Sequence, residues 1–419
     1  MRLLTNLESA TFGGYSTSRW TWSSSPLAST SRASKSWQIR KGYKYRLKTN
    51  RSTGAQFIRF AGACRFVWNK LLSINEHRSV AGVPRLSYAQ ACELLAWWKQ
   101  SEEYGWLSQV HSQVLQQCLK DLDRAYAHCV AGRTAPPQYR KKFRSDSFRS
   151  PQGFKLDGRM VSLPMVGWVE FWESRPLDGT IKNVTVSRQG RHWFVAFQVE
   201  LELPDPVHPA TAAVGIDLGI ATFAATSDGD LHPPLNAYRR VEKKKARMQR
   251  RLAGMVKYSC NWKKQQRRIA QLDIRIAHCR HDFLHKLSTE TSKNHAVIVI
   301  EDLQVRNMSR SAKGTMDEPG KQVAQKAGLN KAILDQGWGM FRRMLEYKQV
   351  WQGGEMIAVN PRYTSQMCPE CGHVAKANRV QQALFSCVAC GYTYHADVVA
   401  AKNILALGHR ERLNARSPR

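Results

Sequence analysis

Two cysteine pairs constrain the fold of this chain more than any other feature of its sequence. Cys368 and Cys371 are separated by two residues, as are Cys387 and Cys390, and fifteen residues lie between the pairs. Two pairs at this spacing supply four thiolates in the tetrahedral arrangement that Zn²⁺ takes in closed structural sites. Because four sulfur ligands leave no position for water, we expect a zinc ion that folds this segment and takes no part in catalysis.

Four reduced, buried thiols and an iron–sulfur cluster are the alternative interpretations of these cysteines. His373 and His395 flank the pairs, but four cysteines complete a site without them. Paired cysteines in a non-secreted chain indicate a metal site and a reducing compartment, so we expect a cytoplasmic, nucleoid-associated protein. The sequence has no apolar run near the roughly 18 residues of a spanning helix, which argues against a membrane protein.

Three acidic residues occupy positions where a carboxylate is unexpected. Asp217 and Glu301 each end an apolar strand, and Asp397 starts a helix whose small residues Ala400 and Ala401 let it approach a sheet. Converging carboxylates raise one another's pKa unless a cation neutralises them, and their oxygens suit Mg²⁺ or Mn²⁺. Two such ions about 3.5–4 Å apart would promote phosphodiester hydrolysis. Each acid taken alone is better explained as an ordinary cap or turn residue.

The charge balance indicates a polyanionic partner. The chain has 64 Lys+Arg against 32 Asp+Glu, a formal net charge of +32, and nucleic acid would relieve this self-repulsion. Cations are concentrated near residues 138–144, where aromatics are interleaved, and in residues 239–286, which hold sixteen Lys+Arg against three acids. A solvated basic surface is the alternative. The predicted nucleic-acid contacts are Tyr139, Arg140, Lys141, Lys142, Phe143, Lys243, Lys244, Arg247, Arg250 and Arg251.

Composition and patterning divide the chain into regions. Residues 1–38 are rich in Ser and Thr with a single acid, and they predict a disordered extension, with a transit peptide as the alternative. From residue 39, strand and helix patterns follow one another up to Pro204, Pro206 and Pro209, where we place the main domain boundary. Apolar strands and helices alternate beyond it, so the sequence predicts a multidomain α/β protein.

Four motifs together resemble those of TnpB proteins, the OrfB proteins of insertion sequences and relatives of the type V CRISPR effectors. They are residues 214–219 (VGIDLG), 299–303 (VIEDL), 360–368 (NPRYTSQMC) with both cysteine pairs, and 396–404 (ADVVAAKNI). With residues 64–69 (CRFVWN), the resemblance extends from about Arg40 to Leu407. One position departs from the family pattern: Val399 stands where the family usually has Asn, so the resemblance does not extend to a contact made by that Asn.

The resemblance implies a RuvC-like nuclease domain of the RNase H fold, with Asp217, Glu301 and Asp397 as its metal-binding acids. It implies that residues 206–362 and 394–408 form this domain and that residues 363–393 form an inserted zinc ribbon. Residues 39–205 are expected to form a β-barrel wedge that carries a helical recognition insertion at about residues 53–135. Residues 409–419 are expected to form a disordered tail.

The resemblance also implies an RNA-guided DNA endonuclease associated with transposition. A guide RNA encoded by the transposon would pair with one strand of a double-stranded DNA target, while the protein reads a short adjacent motif. The implied cofactors are structural Zn²⁺, catalytic Mg²⁺ or Mn²⁺, and the guide RNA. Two alternatives stay open: a transposase that acts without RNA, and a nuclease-inactive, RNA-guided repressor. A monomer is compatible with the sequence, which does not set the oligomeric state.

Overall fold

The computed structural model describes residues 37–142, 146–316 and 318–416. The chain divides into two compact units between Pro204 and Asp205, within the proline-containing segment where the sequence placed the main boundary. No helix in these residues is long and apolar enough to cross a membrane.

An antiparallel sheet is the framework of the first unit. Its described strands are β1 (Trp37–Leu47), β2 (Ser147–Ser150), β3 (Lys155–Asp157), β4 (Met160–Leu163), β5 (Gly167–Trp172), β6 (Thr180–Gln189) and β7 (His192–Leu203). Tyr43, Tyr45 and Leu47 alternate along β1 and are buried, as the period of two in a half-buried strand requires. The strand order is β2-β6-β7-β1-β5-β4-β3. Among the strands described, the short edge strands β2 and β3 do not pair with each other, so the sheet is a half-barrel and not the closed barrel that the sequence predicted.

Helices inserted between β1 and β2 complete the core of the first unit. They are α1 (Arg51–Val80), α2 (Tyr88–Gln100) and α3 (Ser112–Val130). The first begins where the side chain of Asn50 accepts a hydrogen bond from the backbone N–H of Thr53. Phe57 and Phe60 lie with their ring centroids 5.6 and 5.2 Å from that of Phe148, which joins the insertion to the sheet.

A mixed sheet forms the centre of the second unit. Its described strands are β8 (Ala213–Asp217), β9 (Ala224–Thr226), β10 (Leu231–His232), β11 (Val297–Glu301) and β12 (Glu355–Val359), in the order β10-β9-β8-β11-β12. β8, β11 and β12 are parallel, and β9 returns antiparallel to β8. β11 is buried along its whole length, which explains its continuous apolar sequence.

Helices cover this sheet. They are α4 (Glu242–Ala253), α5 (Cys260–Asn294), α6 (Val305–Met308), α7 (Val323–Gln336), α8 (Trp338–Gln352) and α9 (Ala396–Arg416). α9 packs against β8 at very short range, because a Cβ atom on Gly215 would lie 2.1 Å from the carbonyl oxygen of Ala401. Only glycine fits there without moving the helix. The segment with the cysteine pairs is inserted between β12 and α9 and contains the antiparallel strands β13 (Leu384–Ser386) and β14 (Thr393–His395).

Two predicted boundaries are wrong. Trp37 and Gln38 were assigned to the extension, but they pair with Leu203 and Glu202 in the first sheet; residues 1–36 lie outside the described residues. The predicted tail from residue 409 is helical as far as Arg416, because nothing after residue 408 breaks α9 and Arg412 forms an ion pair with Glu355 at 3.0 Å. Residues 417–419 are outside the description.

Candidate active site and metal centre

The three predicted acids line one pocket of about 300 Å³. Asp217 and Glu301 are the last residues of β8 and β11, which are neighbouring parallel strands, so both carboxylates reach the same edge of the sheet. Asp397 is the second residue of α9 and enters from the helix that packs on β8. We call this site, Asp217, Glu301 and Asp397, the carboxylate pocket.

The electrostatics of the carboxylate pocket favour a cation. Burial raises the pKa of Asp217 to about 7, and the charges of Glu301 and Asp397 act in the same direction, while Arg379 opposes them. Burial also raises the pKa of Glu301, against a hydrogen bond from Thr364. Hard oxygen donors that repel one another around an open space fit Mg²⁺ or Mn²⁺, which would return the buried acids to their charged form.

Two residues that the sequence analysis missed hold the acids in place. The hydroxyl of Thr364 donates a hydrogen bond to Oε1 of Glu301 at 2.7 Å. Nη2 of Arg379 donates to Oδ1 of Asp397 at 3.0 Å. Thr364 belongs to the family motif of residues 360–368, so the sequence could have indicated it as a site residue. Arg379 lies between the cysteine pairs, in a segment that has neither a motif nor periodicity.

Val399 does not line the carboxylate pocket. Its side chain is fully buried in an apolar cluster with Cys368, Phe385, Cys387 and Ala396. The departure from the family pattern at this position therefore contributes to the packing between α9 and the cysteine-containing segment.

The four cysteines form a compact group, which we call the cysteine cluster. Their sulfur atoms lie within 4.8 Å of one another, with Cys368 to Cys390 and Cys371 to Cys387 both at 3.6 Å. A tetrahedral site with Zn–S bonds of about 2.3 Å requires sulfur separations of about 3.8 Å, so the geometry fits Zn²⁺. Neither His373 nor His395 belongs to this group.

Both halves of the cysteine cluster have the same backbone geometry. The backbone N–H of Gly372 donates to the carbonyl of Cys368, and that of Gly391 donates to the carbonyl of Cys387, each at 2.9 Å. Both glycines are left-handed, with φ of 73° and 75°. The backbone N–H of Cys390 lowers the pKa of Cys387 to about 6. The backbone donors favour the thiolate at Cys387; backbone N–H groups also contact Cys371 and Cys390, but burial and the neighbouring sulfur atoms raise the pKa of both.

The two candidate metal centres differ in compactness. In the cysteine cluster, all four ligand atoms lie within 4.8 Å of one another. No other group of three or more His, Cys, Asp or Glu residues in the described part of the chain is as close. The three carboxylates share a pocket but are spread more widely around it.

One buried asparagine connects the centres. Nδ2 of Asn378 donates to the carbonyls of Gln366 and His373, and its Oδ1 accepts from the backbone N–H of Val388, so it joins both halves of the cysteine cluster. Arg379 follows it directly and lines the carboxylate pocket. The position of Arg379 therefore depends on the fold of the cysteine-containing segment.

The predicted basic contacts on α4 are exposed. No ion pair involves any of them within the described residues, whereas neighbouring Lys245 pairs with Asp273 at 2.6 Å. Their positive charge is therefore available to a ligand. The five are Lys243, Lys244, Arg247, Arg250 and Arg251.

The second predicted basic group, residues 139–143, is partly used by the fold. Tyr139 donates a hydrogen bond to Glu76, and the guanidinium of Arg140 lies 3.7 Å from the ring centroid of Trp68. Lys141 and Lys142 are exposed. Phe143 is outside the described residues, so its contacts stay a prediction.

Three family models match parts of the chain. A "Probable transposase" model matches residues 196–312, and a "Cas12f1-like, TNB domain" model matches residues 338–404. A "Helix-turn-helix domain" model matches residues 39–82, which here form β1 and the single long helix α1.

Curated proteins similar to the chain span nearly all of it. A protein of Escherichia coli (strain K12) named "Putative RNA-guided DNA endonuclease InsQ" is 48% identical, covering 88% of this chain and 92% of its own. A "Putative RNA-guided DNA endonuclease" of Streptomyces pristinaespiralis is 34% identical, covering 88% and 90%. Cas12f1, a CRISPR-associated endodeoxyribonuclease of Sulfoacidibacillus thermotolerans, is 29% identical over about half of each chain.

The fold is also found in a solved structure. The protein in a cryo-EM structure of a Cas12f1–sgRNA–target DNA complex aligns with a TM-score of 0.52 at 11% identity, covering 88% of this chain and 98% of its own. The likeness shows that the two chains share a fold.

Proposed function

This chain belongs to the TnpB (OrfB) family, and from that membership we propose that it is an RNA-guided DNA endonuclease whose active site is the carboxylate pocket. The observation that carries the proposal is the approach of three acids from β8, β11 and α9 to one pocket in a chain with a net charge of +32. The reaction is hydrolysis of DNA phosphodiester bonds.

The carboxylate pocket would hold Mg²⁺ or Mn²⁺. Asp217, Glu301 and Asp397 would hold the ions, and the charges of Glu301 and Asp397 both act on Asp217. Bound divalent ions supply an activated water and stabilise charge on the leaving oxygen. The donor set fits this assignment because all three ligands are carboxylates, whose like charges repel one another and would be neutralised by a cation.

Residues of this chain orient the acids and the substrate. Thr364 fixes the carboxylate of Glu301 through the hydroxyl hydrogen bond. Arg379 orients the carboxylate of Asp397 through a hydrogen bond and presents a guanidinium at the pocket, where phosphate oxygens of a DNA strand would be its natural partners.

We assign the second unit to a RuvC-like domain of the RNase H fold. The parallel strands β8, β11 and β12, the hairpin strands β9 and β10, and the close packing of α9 support this assignment. Residues 206–362 and 394–408 would form the domain, and residues 363–393 the zinc ribbon. Zinc held by the cysteine cluster would be structural, since four sulfurs complete its coordination.

The partners would be a guide RNA and a double-stranded DNA target. Pairing with the guide selects the target strand, while the protein contributes backbone contacts and reads a short motif. The exposed cations of α4 support a contact with phosphates.

The experiment is cleavage of motif-bearing duplex DNA by protein purified with its native flanking RNA. We expect cutting in Mg²⁺ by the wild type and a loss of about a thousandfold or more in Asp217→Ala, because several kcal/mol of transition-state stabilisation depend on the ions. Asp228→Ala is the matched control, since this acid is exposed and outside the pocket.

The same experiment separates the alternatives. Cutting that persists in Asp217→Ala would reject the active site. Guide-dependent binding of the duplex without cutting in Mg²⁺ or Mn²⁺ would favour the repressor. Absence of a co-purifying RNA would favour a transposase that acts without one.

A further inference from the structure

The turn between α4 and α5 carries an exposed tyrosine beside a half-buried tryptophan. Tyr258 is 73% exposed, and its ring centroid lies 5.5 Å from that of Trp262. Val256, beside them, is 79% exposed. We call residues 254–262 the hairpin tip. Tyr258 and Val256 together present apolar surface to solvent at this turn, and an external ligand can pack against it.

Tyr258 also has an unfavourable backbone conformation. Its φ is +67°, in the left-handed region that side chains with a Cβ atom rarely adopt. Glycine would make the same turn without strain. The turn therefore does not explain why a tyrosine occupies this position.

The hairpin tip is held firmly. Ser259 begins α5 by accepting a hydrogen bond from the backbone N–H of Trp262 at 3.1 Å. Nε2 of Gln265 donates to the carbonyl of Met248 at 3.0 Å, which ties α5 to α4. The aromatic pair is thus presented by two packed helices, which reduces the entropy lost when a ligand binds.

The charge around the hairpin tip selects a polyanion. Residues 243–268 contain eleven Lys and Arg and no Asp or Glu. In the described part of the chain, Lys245 is the member of this group that has an ion pair. Cations that follow phosphates, next to rings on which bases stack, are the combination that binds single-stranded nucleic acid.

We propose that the hairpin tip binds unpaired nucleotides of the guide RNA by stacking a base on Tyr258 and Trp262. The proposal rests on the proposed function, which supplies the RNA. RNA is favoured over the DNA target because unpaired RNA segments present splayed bases, whereas the bases of duplex DNA are stacked inside it. Phosphates beside the stacked base contact the cations that flank the tip.

The test is the affinity of the full chain for its native guide RNA, without DNA, at two salt concentrations. Tyr258→Ala lowers the affinity about tenfold but leaves the salt dependence unchanged, because stacking releases no counterions. Lys257→Ala instead reduces the slope of log affinity against log salt by about 0.7. Tyr258→Trp restores binding, and Val207→Ala, at an exposed apolar residue outside the tip, leaves it at the wild-type level.

Tyr258→Gly separates binding from folding. It relieves the left-handed strain, so the unfolding temperature stays the same or rises, while the RNA affinity falls as in Tyr258→Ala. A drop in unfolding temperature with unchanged RNA affinity would assign Tyr258 a purely structural role and overturn the proposal.

Three further outcomes would overturn it. Unchanged guide RNA affinity in both Tyr258→Ala and Trp262→Ala refutes the stacking contact while the endonuclease assignment stands. A loss confined to binding of target DNA by the RNA-loaded protein assigns the tip to DNA. If the wild type itself binds no guide RNA, the proposed function fails and the tip proposal fails with it.

Discussion

The two candidate metal centres of this protein are built in opposite ways. The cysteine cluster takes its four ligands from one short segment, and its sulfur atoms lie 3.6 Å apart in pairs. The carboxylate pocket takes one acid each from β8, β11 and α9, elements that are far apart in the sequence. A centre built from local ligands in a segment with little core depends on its metal to fold, whereas a centre built on a sheet exists before its metal binds.

The largest effect that tests this difference is expected at the cysteine cluster. Cys387→Ser should abolish binding of about one zinc per chain and destabilise the cysteine-containing segment by several kcal/mol, because structural zinc contributes about 10–16 kcal/mol of apparent binding free energy in small peptides. Metal analysis and limited proteolysis measure this. Cys260→Ser is the control, since that thiol is exposed on α5. Unchanged zinc stoichiometry in Cys387→Ser would refute the four-thiolate site.

Arg379 tests whether the two centres are independent. Arg379→Ala should reduce cleavage about 100-fold with zinc content unchanged, because the side chain positions Asp397. The guanidinium lowers the pKa of Asp217, so its loss raises that pKa and should move the acid limb of the cleavage pH profile to higher pH. Lys376→Ala, an exposed cation nearby, is the control. A cleavage rate that falls without any shift of the pH profile would leave Arg379 without an electrostatic role.

A smaller effect is expected at Thr364. Thr364→Val removes the hydrogen bond that lowers the pKa of Glu301, so Mg²⁺ has to compete with a more tightly held proton. The Mg²⁺ concentration for half-maximal cleavage should rise about tenfold. Thr364→Ser, which keeps the hydroxyl, should behave as the wild type; equal Mg²⁺ requirements in all three proteins would contradict the positioning role.

The smallest effect concerns stability of the protein without divalent ions other than zinc. Asp217 holds its proton more tightly in the folded chain, with a pKa of about 7, than in the unfolded chain, with a pKa of 3.8. Folding therefore favours proton uptake between these values, and the stability contributed by this group is lost as pH rises from about 4 through about 7.

Thermal unfolding as a function of pH measures this loss. Asp217→Asn should remove this part of the pH dependence, and Mg²⁺ should raise the unfolding temperature more at pH 8 than at pH 5. An equal Mg²⁺ effect at both pH values would mean that the ion does not compete with the proton.

The contrast between the centres also explains what the sequence could predict. The cysteine pairs are recognisable because their spacing is local. Each acid taken alone could be an ordinary cap or turn residue, and the resemblance to the family motifs is what singles out all three. Arg379 has no such signal, since its place in the pocket depends on Asn378 joining the two halves of the cysteine cluster. The same holds for the contact between Arg140 and Trp68, which is tertiary; the contact of Arg140 with nucleic acid stays a prediction.

The close approach of α9 to Gly215 determines how the carboxylate pocket responds to mutation. Backbone atoms, not side chains, set the separation of sheet and helix, because a Cβ atom at this position would lie 2.1 Å from a carbonyl oxygen. Side chains can change rotamer to relieve a close contact, but the backbones of β8 and α9 can relieve this one only by moving apart. The separation of Asp217 and Asp397 is therefore set by contact between two backbones. Adding one methyl group at residue 215 would push α9 away from β8 and change that separation.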